Sequence, residues 1–139
     1  MNVLVAIMRG RAGAWLARRM DQHSGELGVS AVTVMELQTG VFLSGSPAAT
    51  VSKVDRVLAR LQIWPFDEAA ARVAGEVRAR LIKAGLEIGP YDSEIAGHAL
   101  ALGAVLVTNN VREFSRVDGL SVEDWLAPAS AEGGRQVQL

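Results

Sequence analysis

The four residues Ala104-Val-Leu-Val107 constrain this chain more than any other stretch. They are apolar at every position, with Gly103 before them and Thr108-Asn109-Asn110 after them. A strand with no polar face sits inside a sheet that is covered on both sides. Such sheets are parallel and their covers are helices, so this run predicts an α/β domain. The rest of the chain agrees, because short apolar runs alternate with longer stretches of helical period. No internal repeat is present.

Leu27-Gly-Val-Ser30 reads as a second strand, followed by a helix over Val32–Val41. Ser44–Thr50 reads as a loop on its Gly, Ser and Pro content. Val51, Val54, Val57, Leu58 and Leu61 then recur at helical spacing. Ile63-Trp-Pro-Phe66 is extended, since proline disfavours helix in the residue before it. Asp67 is placed to cap a long helix to Ala84, which Gly85 stops. Ile88-Gly-Pro90 turns into a helix over Asp92–Leu102, ended by Gly103. A last short strand or turn falls near Leu120–Trp125. Asn2–Ile7 fits either a buried strand or the opening of a helix reaching Met20. One domain over residues 1–126 is expected, with 127–139 as a flexible C-terminal tail.

Composition removes several chemistries. The chain has 139 residues, no cysteine and two histidines, so disulfides, thiolate metal sites and cysteine nucleophiles are excluded. A histidine-based metal site has little to build on, and His98 reads as a packing or surface residue of its helix. A net charge of −1 argues against holding nucleic acid by bulk positive charge. It leaves room for an enzyme that grips nucleic acid locally. No apolar run approaches the ~20 residues needed to span a bilayer. No leader pattern opens the sequence, and a cytoplasmic location is the expectation. Glycine-rich phosphate loops and zinc-protease or serine-hydrolase signatures are absent.

What remains is a set of acids and amides at strand ends. Alone, Asp92 reads as an N-cap or first-turn acid, and Glu36 as a capping-box partner of Thr33. Yet Ser30, Thr33 and Glu36 follow one strand, and Asn109, Asn110 and Glu113 follow another. Ligands of parallel sheets gather at the carboxyl ends of the strands. An oxygen-only cluster there suits Mg²⁺, with Mn²⁺ as the alternative. Arg112, Arg116, Arg9 and Arg11 are available for phosphate contacts, or are solvated surface arginines.

The stretches Ile88–Gly103 and Val105–Val117 closely resemble PIN-domain toxins of VapC type. Ser30–Leu37, Trp64–Asp67 and Gly119–Trp125 agree in the same order. The resemblance implies a three-layer α/β PIN fold with a parallel sheet flanked by helices. It implies the toxin component of a type II toxin–antitoxin system: an Mg²⁺-dependent endoribonuclease that cuts RNA and arrests translation. A VapB-type antitoxin and a homodimer are the implied partners. Glu36 and Asp92 match two of the family's metal-binding acids, and Asn110 matches the position where many members carry a fourth acid, with Glu113 assisting. Thr108 and Ser30 would be supporting hydrogen-bond donors.

The departure is at the start. Family members open with a central strand ending in Asp-Thr-Asn, and here Asn2 matches only that asparagine. The strand and its aspartate have no counterpart ahead of Asn2. The expected consequences are a weaker metal site and a sheet without its middle. Two explanations stay open, a start assigned too late and an impaired relative that only binds and sequesters its antitoxin. A strand made from Asn2–Ile7 is the remaining rescue.

Overall fold

A computed structural model describes residues 3–11, 13–126 and 136–139. Helices α1 (Val3–Met8) and α2 (Ala14–Gln22) come first, and strand β1 (Leu27–Ser30) follows. Helices α3 (Ala31–Leu43) and α4 (Pro47–Leu58) lead to β2 (Gln62–Trp64). The long helix α5 (Glu68–Ala84) is followed by α6 (Pro90–Leu102), β3 (Val105–Val107) and α7 (Val111–Phe114). Two short strands close the chain, β4 (Val122–Glu123) and β5 (Val137–Gln138). The sheet has five strands in the order β2-β1-β5-β3-β4, and every pairing is parallel. The parallel α/β architecture predicted from Ala104–Val107 is therefore present, and Val105, Leu106 and Val107 are all buried.

The sheet separates two apolar layers. One joins Val3, Leu4, Leu16, Leu37, Val54 and Trp125. The other joins Val32, Val77, Leu81, Ile95, Leu106 and Phe114. Helices α5 and α6 lie closest of all, because Gly97 faces Ala74 with no side chain between the backbones. A Cβ at Gly97 would land on the Ala74 backbone. Beside β4, Arg19 is buried against Trp125 and bonds Glu123 at 2.9 Å. The Trp125 indole N–H donates to the same carboxylate, which ties α2 to the sheet edge.

Several expectations need correction. Val3–Ile7 forms no strand: α1 is helical, buries Val3, Leu4 and Ala6, and stops before α2 begins. Asn2 itself lies outside the described residues. The segment Ser44–Thr50 is not all loop, since Pro47 occupies the first turn of α4, where its missing N–H has no partner to lose. Helix α6 likewise starts at Pro90, ahead of Asp92. Asp67 does cap α5, accepting the Ala70 N–H at 2.9 Å, and Gly85 and Gly103 stop their helices in the left-handed conformation.

The largest correction concerns the expected tail. Residues 127–135 lie outside the described residues, but Val137 and Gln138 form the middle strand of the sheet. Val137, Gln138 and Leu139 are buried. The sheet does not lack its centre: β5 stands between β1 and β3, where the resemblance puts an opening strand.

Candidate active site

The carboxyl ends of β1, β5 and β3 open into one cleft of about 210 Å³. Glu36 and Asp92 line it, together with Thr33, Ile95, Thr108, Asn109, Asn110 and Leu139. Each arrives by a short route. Ser30 ends β1 and caps α3 by accepting the Val32 N–H at 3.1 Å. Thr33 and Glu36 then follow within the first two turns. The capping box expected of Thr33 and Glu36 is absent, because Ser30 holds the cap and places Glu36 beyond reach of it. Of the two local readings of Asp92 the first-turn acid holds, since Gly89 is the cap residue of α6. Loop residues Thr108–Asn110 leave the end of β3 directly.

Two carboxylates in one half-buried cleft strain each other. Burial raises the Glu36 pKa above its ordinary value, and the charges of Asp92 and Glu94 add to the rise. Burial also raises Asp92, with Glu113 adding to it. Folding therefore favours the protonated forms. For a carboxyl raised in the folded state, the linked stability is full below its unfolded pKa and is lost as pH rises through the folded one. Without metal, stability should fall as pH climbs from about 4 toward neutrality on account of these groups. Glu36→Gln and Asp92→Asn are expected to flatten that decline and raise the metal-free melting temperature at pH 7 by a few degrees. Melting curves between pH 4 and 8 in chelator check this.

The amide side of the cleft is held by its own bonds. The Asn110 N–H donates to Thr108 Oγ1 at 3.0 Å, and Asn110 Nδ2 donates to Glu113 Oε2 at 3.0 Å. Glu113 thus orients Asn110 while its charge reaches Asp92. Ser30 does not line the cleft. Its hydroxyl is buried beneath it, 2.8 Å from His98 Nδ1, so His98 is a packing residue that ties α6 to the start of α3. Sequence reasoning missed Leu139, which lines the cleft at the end of β5. Of the arginines, Arg9, Arg11 and Arg112 are exposed, and Arg116 donates to the Glu87 carbonyl.

All polar atoms facing the cleft are oxygens or amides, which suits a hard cation. Thr33 Oγ1 and Asn109 Oδ1 are buried without a hydrogen-bond partner among the described residues. Buried oxygens left this way want a ligand or its waters. No group of three or more acids or histidines with metal-binding geometry occurs among the described residues. Glu36 and Asp92 are the two carboxylates that line the cleft.

The PIN domain family model matches residues 1–120. This chain belongs to the PIN-domain family. The PIN chain is 36% identical over 124 residues to the tRNA(fMet)-specific endonuclease VapC of Shigella flexneri, covering 89% of this chain and 93% of that protein. It is also 36% identical over 125 residues to ribonuclease VapC2 of Haemophilus influenzae, covering 90% and 94%. Among solved structures it is similar to DNA-bound VapBC from Salmonella typhimurium, with a TM-score of 0.85, 35% identity and coverage of 89% and 93%. VapBC-1 from nontypeable Haemophilus influenzae gives a TM-score of 0.83 at 32% identity, covering 91% and 95%. The VapC-type resemblance read from Ile88–Val117 is borne out. So is the three-layer PIN fold. No helix among the described residues is long and apolar enough to cross a membrane.

Proposed function

We propose that this PIN domain is the toxin of a type II toxin–antitoxin pair, an endoribonuclease that cuts RNA and arrests translation. The observation that carries the reading is the meeting of Glu36 and Asp92 with Asn110 at the carboxyl edge of the sheet, in a chain whose relatives are named VapC. Glu36 and Asp92 would hold Mg²⁺, or Mn²⁺ in its place. When bound, the ion supplies a water of lowered pKa and a counter-charge for the phosphodiester. Thr33 offers its unpartnered hydroxyl to water or phosphate oxygen inside the cleft. Asn110, fixed by Thr108 and Glu113, presents an amide beside the reacting group. Arg112, exposed on α7 just after Asn110, is available for a phosphate contact along the RNA.

A VapB-type antitoxin and a second copy of the chain are the proposed partners, in the cytoplasm. Helix α3 supports a protein contact, since Met35, Phe42 and Leu43 are exposed on its outer side at 43%, 73% and 82%. A contiguous apolar patch of that kind marks an interaction surface.

One observation favours a second reading, a binding module that sequesters its antitoxin without cutting RNA. The residue that ends the central strand at the cleft is Leu139, whose side chain offers no carboxylate. A single experiment separates the two. The purified chain is incubated with structured RNA in Mg²⁺, in Mn²⁺ and in chelator. Fragments that appear with either ion and vanish with chelator support the nuclease. Intact RNA throughout, with a stable antitoxin complex, overturns it in favour of the binding module.

A further inference from the structure

The strand β5 is short for the place it holds. Strands β1 and β3 do not pair with each other, so among the described residues β5 alone joins the two halves of the sheet. Its backbone is received on both sides. Val137 N–H donates to the Glu26 carbonyl at 3.0 Å and Leu139 N–H to the Gly28 carbonyl at 3.0 Å. On the other side the Val105 N–H donates to the Gln136 carbonyl at 2.9 Å. Without an occupant the Gly28 carbonyl of β1 and the Val105 N–H of β3 would be left unpaired in the buried sheet, which is costly.

The occupant fits imperfectly. Val137 and Leu139 enter the apolar layer that holds Val29 and Trp125. Gln138 points to the other face, fully buried, where its Nε2 donates to the Ile95 carbonyl at 3.2 Å. Its Oε1 is buried with no partner among the described residues. A buried acceptor without a donor opposes its own burial. Ile95 lies within α6, where the helix ladder already uses its carbonyl, so the amide gives little that the helix lacks. An apolar side chain in this place would remove the orphan and leave the carbonyl satisfied.

We propose that the gap between β1 and β3 is a strand-binding site, with residues 136–139 as its intramolecular and exchangeable ligand. The class of competing ligand is an extended peptide, laid parallel to β1 and β3, with apolar side chains at all three inward positions. Strand addition of this kind draws affinity from main-chain hydrogen bonds and selectivity from alternate side-chain pockets. Because Leu139 lines the cleft, exchange also changes the wall of the site. The proposal needs neither metal nor RNA, so it stands or falls apart from the nuclease reading.

The test is hydrogen exchange on the full chain without metal, read by mass spectrometry. Residues 136–139 are expected to open as one step with β1 and β3, well before the α5–α6 pair. A blocked pentapeptide Arg-Gln-Val-Leu-Leu is then titrated in. It should bind one to one, slow exchange in β1 and β3, and speed it in residues 136–139. The parent pentapeptide Arg-Gln-Val-Gln-Leu should bind about tenfold more weakly or worse. In the full chain, Gln138→Leu should slow the opening by a similar factor and weaken peptide capture. Exchange of residues 136–139 only together with α5 and α6 overturns the proposal. So does a leucine peptide that leaves β1 and β3 exchange unchanged.

Discussion

Asp92→Asn will leave the chain folded and lower metal-dependent RNA cleavage by at least about 100-fold. Losing a residue that merely supports a metal ligand costs roughly 10–100-fold in affinity or activity, and Asp92 is proposed as a ligand itself. With only Glu36 left as a principal carboxylate, the loss should lie at or beyond the upper end. The same substitution relieves burial of a charge next to Glu36 and Glu113, so the metal-free melting temperature should rise. Activity and stability thus move in opposite directions, which a misfolded variant would not show. Single-turnover cleavage in Mg²⁺ beside melting in chelator reads both. Equal cleavage by Asp92→Asn and the parent chain would falsify the assignment.

Gly97→Ala is the substitution with the largest expected effect on stability. The added Cβ meets the Ala74 backbone, which cannot rotate away as a side chain would. Overpacking a core usually costs about 1–3 kcal/mol, and here α5 and α6 must separate, so the upper end applies. For a domain of this size that is a drop of roughly 10 °C in melting temperature. Cleavage should suffer as well, because α6 carries Asp92 in its first turn. Thermal denaturation checks the value, and a melting temperature within about 2 °C of the parent would refute the close approach.

Much of this architecture could be read from local chemistry. Asp67, Gly85 and Gly103 mark helix ends because capping depends only on residues a few places away. The buried run Val105–Val107 declares a central parallel strand by being apolar on both faces. Glu36 and Asp92 were found by position at strand ends, and they do meet. The cap of α3 is ambiguous in the sequence because Ser30 and Thr33 can both accept an N–H, and only the backbone angles choose between them. Pro47 reads as loop among glycine and serines, although proline suits a first helical turn equally well. The strand at Val137–Gln138 left almost no local signal. It is two residues long, and its partners β1 and β3 lie far away in sequence. The alternation Val-Gln-Leu was the one trace of it, and a paired Gly-Gly just before made it look like a tail.

The central strand has a consequence for how the sheet assembles. Strand β5 lies far along the chain from β1 and β3, the two strands it joins. Until residues 136–139 dock, the halves of the sheet share no strand among the described residues, and the facing edges of β1 and β3 stay unpaired. Folding must then close a contact across almost the whole chain, a slow step by its topology.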